Sequence, residues 1–315
     1  MEIRNDENKI KENLYSRQIG TYGEEAMNKI VELKILILGI KGLGIEVAKN
    51  IILTGPKQVI IYDPDIVHLK DLGTNYYLKE EYVNKNRLDE SCINSLKKLN
   101  PYINIEILNI NNEEDFYKQI KQIDLNVIVQ TEIKPEKEII KLDEYCRENK
   151  IKFIYSAVLG LFGFIFSDFG KEHKIFDDNG KEPKKFLCKN ISNSEKGIIS
   201  IVNEFDTIFN LNNDDYVLFK NVKGMTELND NKPRKINVID DNSFSIDENT
   251  TNYQKFEGNG DVYEYKMPYK NKYISFKESI NIPFTKLSEE ETFTEQQEDK
   301  KYQNNLYIMM LKKLF

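Results

Sequence analysis

Residues 34–44, Lys34-Ile-Leu-Ile-Leu-Gly-Ile-Lys-Gly-Leu-Gly, constrain this 315-residue chain more than any other stretch. A short run of branched apolar residues leads directly into Gly39, Gly42 and Gly44. Ile45 to Leu53 then follow with helical apolar spacing. The pattern predicts a strand, a tight turn and a helix folded back on the strand. A second apolar run, Gln58-Val-Ile-Ile-Tyr, ends at Asp63. That acid falls about twenty positions after the glycines, as the second strand of a mononucleotide-binding unit requires.

The rhythm continues. Asn104-Ile-Glu-Ile-Leu alternates, Leu125-Asn-Val-Ile-Val is a short buried run, and Glu136 to Asn149 reads as a charged helix leading into Ile151-Lys-Phe-Ile-Tyr. Strands alternating with helices predict an α/β, doubly wound, mostly parallel sheet of the Rossmann type through residue 169. After Phe169 turn signals recur every ten residues or so, as in Asp177-Asp-Asn-Gly, Asn212-Asn-Asp-Asp and Glu257-Gly-Asn-Gly. Runs such as Lys235-Ile-Asn-Val-Ile between them trade apolar for polar at period two. An inserted small all-β barrel over 170–262 is expected, followed by return strands over 263–283. Residues 284–300 are polar and acidic and read as a linker. Tyr302 to Phe315 is apolar on nearly every side of a helical wheel. A helix that expects burial and stops at the last residue suggests a piece of something longer.

Composition narrows the chemistry. Forty-five basic residues against 52 acidic ones leave a net charge of -7, which argues against a nucleic-acid partner. Three cysteines, Cys92, Cys146 and Cys188, form no C-x-x-C pair and are too few for a disulfide framework. No apolar run approaches the ~18 residues of a membrane span, and the charged N-terminus is unlike a secretory signal. The chain therefore reads as soluble and intracellular. Two histidines, His68 and His173, far apart in sequence, leave little for a Ser-His-Asp hydrolase or a histidine-rich metal centre.

Longer matches add a family. Tyr15-Ser-Arg-Gln-Ile, Gly23-x-x-Ala26 and the glycine segment through Gly55 resemble the N-terminal half of ubiquitin-activating enzymes. So do Asp63-Pro-Asp, Asp71-Leu-Gly, Asn84-Lys-Asn-Arg and Gly160-Leu-Phe-Gly. Ser167-Asp-Phe-Gly, Asp178-Asn-Gly-Lys-Glu-Pro, Val222-Lys-Gly-Met-Thr-Glu-Leu-Asn and Ile274-Ser-Phe-Lys resemble the same enzymes' first catalytic-cysteine half-domain and the return to the body. The resemblance implies an inactive adenylation domain of ThiF/MoeB-like fold over 1–169 carrying that β-rich half-domain. Residues 284–315 would then be a linker and the first helix of a four-helix bundle. Its implied partners are the active adenylation half of the same chain, ubiquitin and ubiquitin-conjugating enzymes, in cytoplasm and nucleus. ATP and Mg2+ would serve the full-length enzyme, with none expected on this portion, which would be silent alone.

The glycine loop supports that assignment. Adenylating members read G-x-G-G-x-G, which lets backbone N–H groups approach phosphates. Lys41 replaces the second of those glycines here. Thr74 stands where the active domains place an arginine. Gly39, Gly42 and Gly44 are thus cofactor-site positions that read as retained for the turn and close packing. Asp63, placed to hold a ribose, reads as a strand-end cap. The one residue to which the resemblance assigns chemistry is Arg17, offered across the domain interface to ATP in the active half. A planar, permanently charged fork suits charge developing on departing pyrophosphate. The plain alternative pairs Arg17 with Glu24 or Glu25.

Cys92 and Cys146 read as small core residues, the family's catalytic cysteine lying beyond this chain. Cys188, with Lys184, Lys185 and Lys189 nearby, sits in a basic setting that lowers a thiol pKa. Two other readings stand beside the main one: a regulatory subunit of a SUMO-type heterodimeric activator, and an NAD- or FAD-dependent oxidoreductase. The second is disfavoured by G-x-x-G-x-G spacing in place of G-x-G-x-x-G.

Overall fold

The computed structural model describes residues 14–88, 90–110, 113–177, 180–202 and 211–282. The linker and helix expected over 284–315 lie outside them. The chain divides into two compact units, one comprising residues up to His173 and from Asn271 onward, the other Lys174–Lys270.

The first unit begins with helix α1 (residues 14–22) and α2 (Glu24–Ile30). Strands β1 (Lys34–Leu38), β2 (Gln58–Tyr62), β3 (Asn104–Ile107), β4 (Val127–Gln130), β5 (Lys152–Leu159) and β6 (Phe162–Asp168) form one sheet in the order β3-β2-β1-β4-β5-β6. The first five are parallel, and β6 runs back along β5 as a hairpin. Helices α3 (Gly42–Thr54), α4 (Glu90–Leu99), α5 (Glu113–Gln122), α6 (Glu136–Glu148) and α7 (Phe276–Asn281) cover its faces.

The continuous apolar runs follow from burial on both sides. Ile35 and Ile37 of β1 pack with Ile45, Ile52, Cys92 and Leu96 of α3 and α4. Leu36 and Leu38 point the other way, to Ile120, Ile139, Leu142 and Phe276. The period-two geometry of a strand serves two cores at once. α3 ends at Gly55, in the left-handed conformation (φ 87°) that its lack of a Cβ makes inexpensive.

The second unit is a closed six-stranded barrel. Its strands are β8 (Lys185–Ile191), β9 (Ile198–Val202), β10 (Tyr216–Lys220), β11 (Arg234–Asp240), β12 (Ser243–Ile246) and β13 (Asp261–Tyr265). Phe186, Ile199, Ile201, Val217, Phe219, Ile236, Phe244, Ile246 and Val262 alternate inward to fill it. Closure removes the exposed strand edges that an open sheet of this size would present. β7 (His173–Ile175) and β14 (Tyr269–Asn271) pair as a two-stranded ribbon.

The second compact unit spans Lys174–Lys270, and β13, at the expected junction of insert and return strands, pairs with both β10 and β8 and closes the barrel. Of the return strands expected over 263–283, the structure keeps β14 as a strand but makes 276–281 a helix. Ser275 and Glu278 cap it reciprocally. The S-x-x-E signature at its start identifies such a cap locally.

The thiols are all buried. Cys188 faces the barrel core, and burial, then the charge of Asp261, pushes its pKa up to about 12. The basic neighbours do not lower it: Lys185 and Lys189 lie on the outward-facing register of β8, so their proximity in sequence is not proximity to the sulfur.

Candidate functional site

In open parallel sheets the crevice for ligands lies beyond the carboxyl ends of the strands, where the strand order reverses. Here that point falls between β1 and β4, at Gly39 and Glu132.

The glycines are held there by packing. Gly39 has φ 87°, and a Cβ on it would lie 2.4 Å from Glu132 Cγ. A Cβ on Gly44 would lie 2.1 Å from the Gly39 carbonyl oxygen, and one on Gly42 2.6 Å from Thr74 Cβ. The last contact is chemically informative, since Thr74 covers the start of α3, where the backbone would otherwise be open to an anion. Asn75, fully buried, donates to the Ile40 carbonyl at 3.0 Å and pins the loop further.

Asp63 ends β2, but its carboxylate is saturated. Oδ2 accepts from Ile40 N–H at 2.9 Å and from Arg87 Nη1 at 2.6 Å, while Oδ1 accepts from Arg87 Nη1 at 2.8 Å and Asp65 N–H at 3.0 Å. Arg87 is the centre of the site, and its guanidinium is wholly buried. It also donates from Nη2 to the Ile66 carbonyl at 3.0 Å and to Asp71 at 3.3 Å, and Nη1 lies 3.5 Å from Glu132. Burial is the largest influence on its pKa and pushes it down. Hydrogen bonds and charge from Asp63, then the charges of Asp71 and Glu132, outweigh burial and hold it above the ordinary arginine range. Burial, then Asp63, pushes the Glu132 carboxyl up, while Lys41 and Arg87 oppose this. Lys41 Nζ lies 3.3 Å from Glu132 and 3.5 Å from Asp65.

Sequence reasoning placed Asn84-Lys-Asn-Arg in a motif but gave Arg87 no task, and it overlooked Glu132. A usable signal existed: a lone arginine in a segment otherwise reading as a surface turn, downstream of three acids it could neutralise.

Asp63, Asp65 and Glu132 offer oxygens within 4.8 Å of one another, the spacing of a cation site. Two resident cations already lie among them, so the donor set does not fit a magnesium ion. Nor does it fit a triphosphate. With Asp71 there are four carboxylates against Lys41 and Arg87, two negative charges in excess when all are ionised.

Arg17 lies elsewhere, on α1. It is exposed, and among the described residues its side chain has no ion-pair partner. Glu25 pairs instead with Lys29 at 2.8 Å. What α1 does have is an anchor. Tyr15 is buried, its hydroxyl accepts from Asn100 Nδ2 at 2.9 Å, and its ring lies against Gly55. A Cβ on Gly55 would lie 2.4 Å from the Tyr15 hydroxyl oxygen. Gly55→Ala is therefore expected to combine left-handed strain with a clash, destabilising the fold by more than ~1 kcal/mol. Urea denaturation followed by circular dichroism reads this, and an unchanged midpoint would contradict the packing described.

The model of the ThiF family matches residues 15–210. The chain belongs to the ThiF family. Within this ThiF chain, residues 194–266 match the ubiquitin-activating enzyme E1 FCCH domain. It is 37% identical over 276 residues to ubiquitin-like modifier-activating enzyme 1 of Dictyostelium discoideum, covering 88% of this chain and 26% of that protein. It is 38% identical over 279 residues to ubiquitin-activating enzyme E1 1 of Arabidopsis thaliana, covering 87% and 25%. For ubiquitin-like modifier-activating enzyme 1 of Homo sapiens the figures are 35% over 271 residues, 86% and 24%. The chain thus spans about a quarter of the length of these curated relatives.

Proposed function

We propose that this ThiF chain is the non-adenylating half of a ubiquitin-activating enzyme, holding no triphosphate itself and lending Arg17 to ATP bound by a second, adenylating half. The observation that carries this is a contrast of charges. The end of the crevice expected to hold phosphates is occupied by ion pairs centred on Arg87, while Arg17 stands exposed and unpaired among the described residues. In the proposed reaction the ubiquitin C-terminal carboxylate attacks the α-phosphate and pyrophosphate leaves. A guanidinium delivered from outside neutralises the charge that builds on the leaving group. A catalytic cysteine of the full-length enzyme would then attack the adenylate, forming a ubiquitin thioester with release of AMP, and ubiquitin-conjugating enzymes would receive ubiquitin from that thioester, in cytoplasm and nucleus. Mg2+ and ATP would be held by the adenylating half.

A second support is the β5–β6 hairpin. Val158, Leu161, Phe162 and Ile165 are all more than half exposed, and Leu161 fully so. An apolar ridge of this kind suits burial against the adenylating half. The FCCH match favours a ubiquitin-type enzyme over a SUMO-type regulatory subunit. A saturated Asp63 argues against the ribose grip of an NAD or FAD enzyme.

The test is ATP–pyrophosphate exchange driven by ubiquitin. This chain alone is expected to show none. In the full-length protein Arg17→Ala is expected to lower the exchange rate about 10²-fold or more with the fold unchanged. An unaltered rate in that variant would remove Arg17 from the mechanism.

A further inference from the structure

An asparagine followed by glycine is open to intramolecular attack, because the next backbone nitrogen reaches the side-chain carbonyl carbon and glycine has no Cβ to obstruct it. The barrel carries such a pair at Asn259–Gly260, in the turn that leads into β13. The Asn259 side chain is exposed and makes no hydrogen bond to a described group, and its backbone is left-handed, at φ 55°. The Gly260 N–H, the attacking group, is likewise without an acceptor among the described residues. Asn193–Ser194, in the same barrel, shows the opposite condition. Asn193 Nδ2 donates to the Thr250 and Tyr253 carbonyls at 3.0 and 2.9 Å, and Ser194 N–H donates to Thr250 Oγ1 at 3.1 Å.

The exposed turn sits on a tight seam. The Gly260 carbonyl accepts from Cys188 N–H at 2.8 Å, and the Asn259 carbonyl accepts from Lys223 N–H at 3.4 Å. Asp261 pairs with Lys185 at 3.0 Å. A Cβ on Gly260 would lie 3.2 Å from Val222 Cγ2 and 3.4 Å from Cys188 Sγ, so the backbone has little room to move there.

We propose that Asn259 converts spontaneously to isoaspartate through a succinimide, and that the product opens the β8–β13 seam and uncovers Cys188. The Gly260 nitrogen gives its proton to solvent hydroxide and attacks Asn259 Cγ. The Cγ–Nδ2 bond breaks and ammonia leaves, which closes a five-membered ring. Water then opens the ring, so that one water is consumed for each ammonia released. Cleavage between the Gly260 nitrogen and Cγ gives aspartate. Cleavage between that nitrogen and the Asn259 main-chain carbonyl carbon leaves the chain running through Cγ, one methylene longer, with a free α-carboxylate. A barrel fixes the register of every strand it closes, so an added backbone atom at the seam displaces the Cys188–Gly260 hydrogen bond. The inference goes beyond the proposed function and gives Arg17 and the crevice no part, so either can fail without the other.

The test is to hold the chain for days in mildly alkaline buffer at physiological temperature and map its tryptic peptides, with electron-transfer fragmentation to tell isoaspartate from aspartate. Asn259 is expected to convert about tenfold or more faster than Asn193, where three hydrogen bonds must first break. The other Asn-Gly pair, Asn179–Gly180, has its asparagine outside the described residues and is read in a separate peptide. Maleimide labelling supplies the second readout. Cys188, buried in the fresh protein, is expected to label in step with isoaspartate, whereas Cys92 and Cys146, buried in the other unit, are not. Asn259→Gly accepts the left-handed backbone and has no amide to lose, so its Cys188 is expected to stay unlabelled after the same treatment. An intact Asn259, equal conversion at Asn193, or Cys188 labelling no faster in the isoaspartyl protein than in fresh protein would each overturn the proposal.

Discussion

Arg87→Met is expected to destabilise the α/β unit by about 3–5 kcal/mol, the cost of leaving buried carboxylates without their cation. Methionine matches the length of the arginine stem, so the loss measures charge and hydrogen bonds more than volume. The Asp63 carboxylate would lose two of its four contacts and Asp71 its guanidinium. Lys41→Met supplies the contrast. The Lys41 side chain is 40% exposed and its two acidic contacts are 3.3 and 3.5 Å away, so water screens the pairing. An effect below ~1 kcal/mol is expected there. The chain has no tryptophan, so urea unfolding is followed by circular dichroism. Similar midpoints for wild type and Arg87→Met would mean that the cluster does not depend on its central cation.

The second large effect concerns pH. Asp143 on α6 and Asp168 at the end of β6 are each 1% exposed, and the charge of Arg147, which is paired with Asp168, reaches both. Arg147 Nε donates to Asp168, and its Nη2 donates to the Tyr273 carbonyl at 2.6 Å. Asp168 Oδ1 accepts from Gly170 N–H at 2.7 Å, and Asp143 Oδ2 accepts from Phe276 N–H at 2.8 Å. Burial first, then the charge and hydrogen bond of Asp168, raises Asp143 from 3.8 to about 7, against the Phe276 N–H and Arg147, which lower it. The Cys146 thiol also faces both acids and is pushed up by burial and their charge.

A carboxyl whose pKa is higher folded than unfolded binds more protons in the folded state between those two values. Its contribution is full below about pH 4, declines as pH rises through 7, and is absent above. A rise of about three units corresponds to about 4 kcal/mol. The segment anchored by Tyr273 and Phe276 is therefore expected to lose protection as pH rises from 5 to 8. The readout is the hydrogen-exchange protection factor of the Phe276 amide, corrected for the intrinsic pH dependence of exchange. Asp143→Asn mimics the protonated carboxyl and is expected to make that factor nearly independent of pH, with protection at pH 8 above wild type. A wild-type protection factor constant over this range would show that Asp143 titrates at an ordinary carboxylate value.

Much of the fold was legible because burial is written into local periodicity. The run Lys34–Leu38 announces a strand buried on both faces, and Ile45 to Ile52 announces the helix stripe that covers one of them. Glycine at 44 is demanded by a clash with the nearby Gly39 carbonyl, whereas the clash that holds glycine at 39 is with Glu132, past the end of β4 and far away in sequence. Thr74 and Lys41 were recognisable as substitutions at the loop. Their physical consequence, a covered helix start and a lysine turned into the acid cluster, needed coordinates.

The sequence by itself determined the alternation of strands and helices through residue 169, the alternation that fills the barrel, and the residues that stand in the glycine loop. Only the tertiary structure decided which charges meet. Arg87 reaches Asp63 across 24 positions, and Phe276 reaches Asp143 across 133. It also decided that Asp261–Tyr265 belongs to the barrel and that Cys188 lies away from its lysines. The reason is one of range. Apolar spacing reports the environment of a residue through its near neighbours along an element, whereas an ion pair is specified by two elements that topology brings together. Nothing in the period of either element encodes the other.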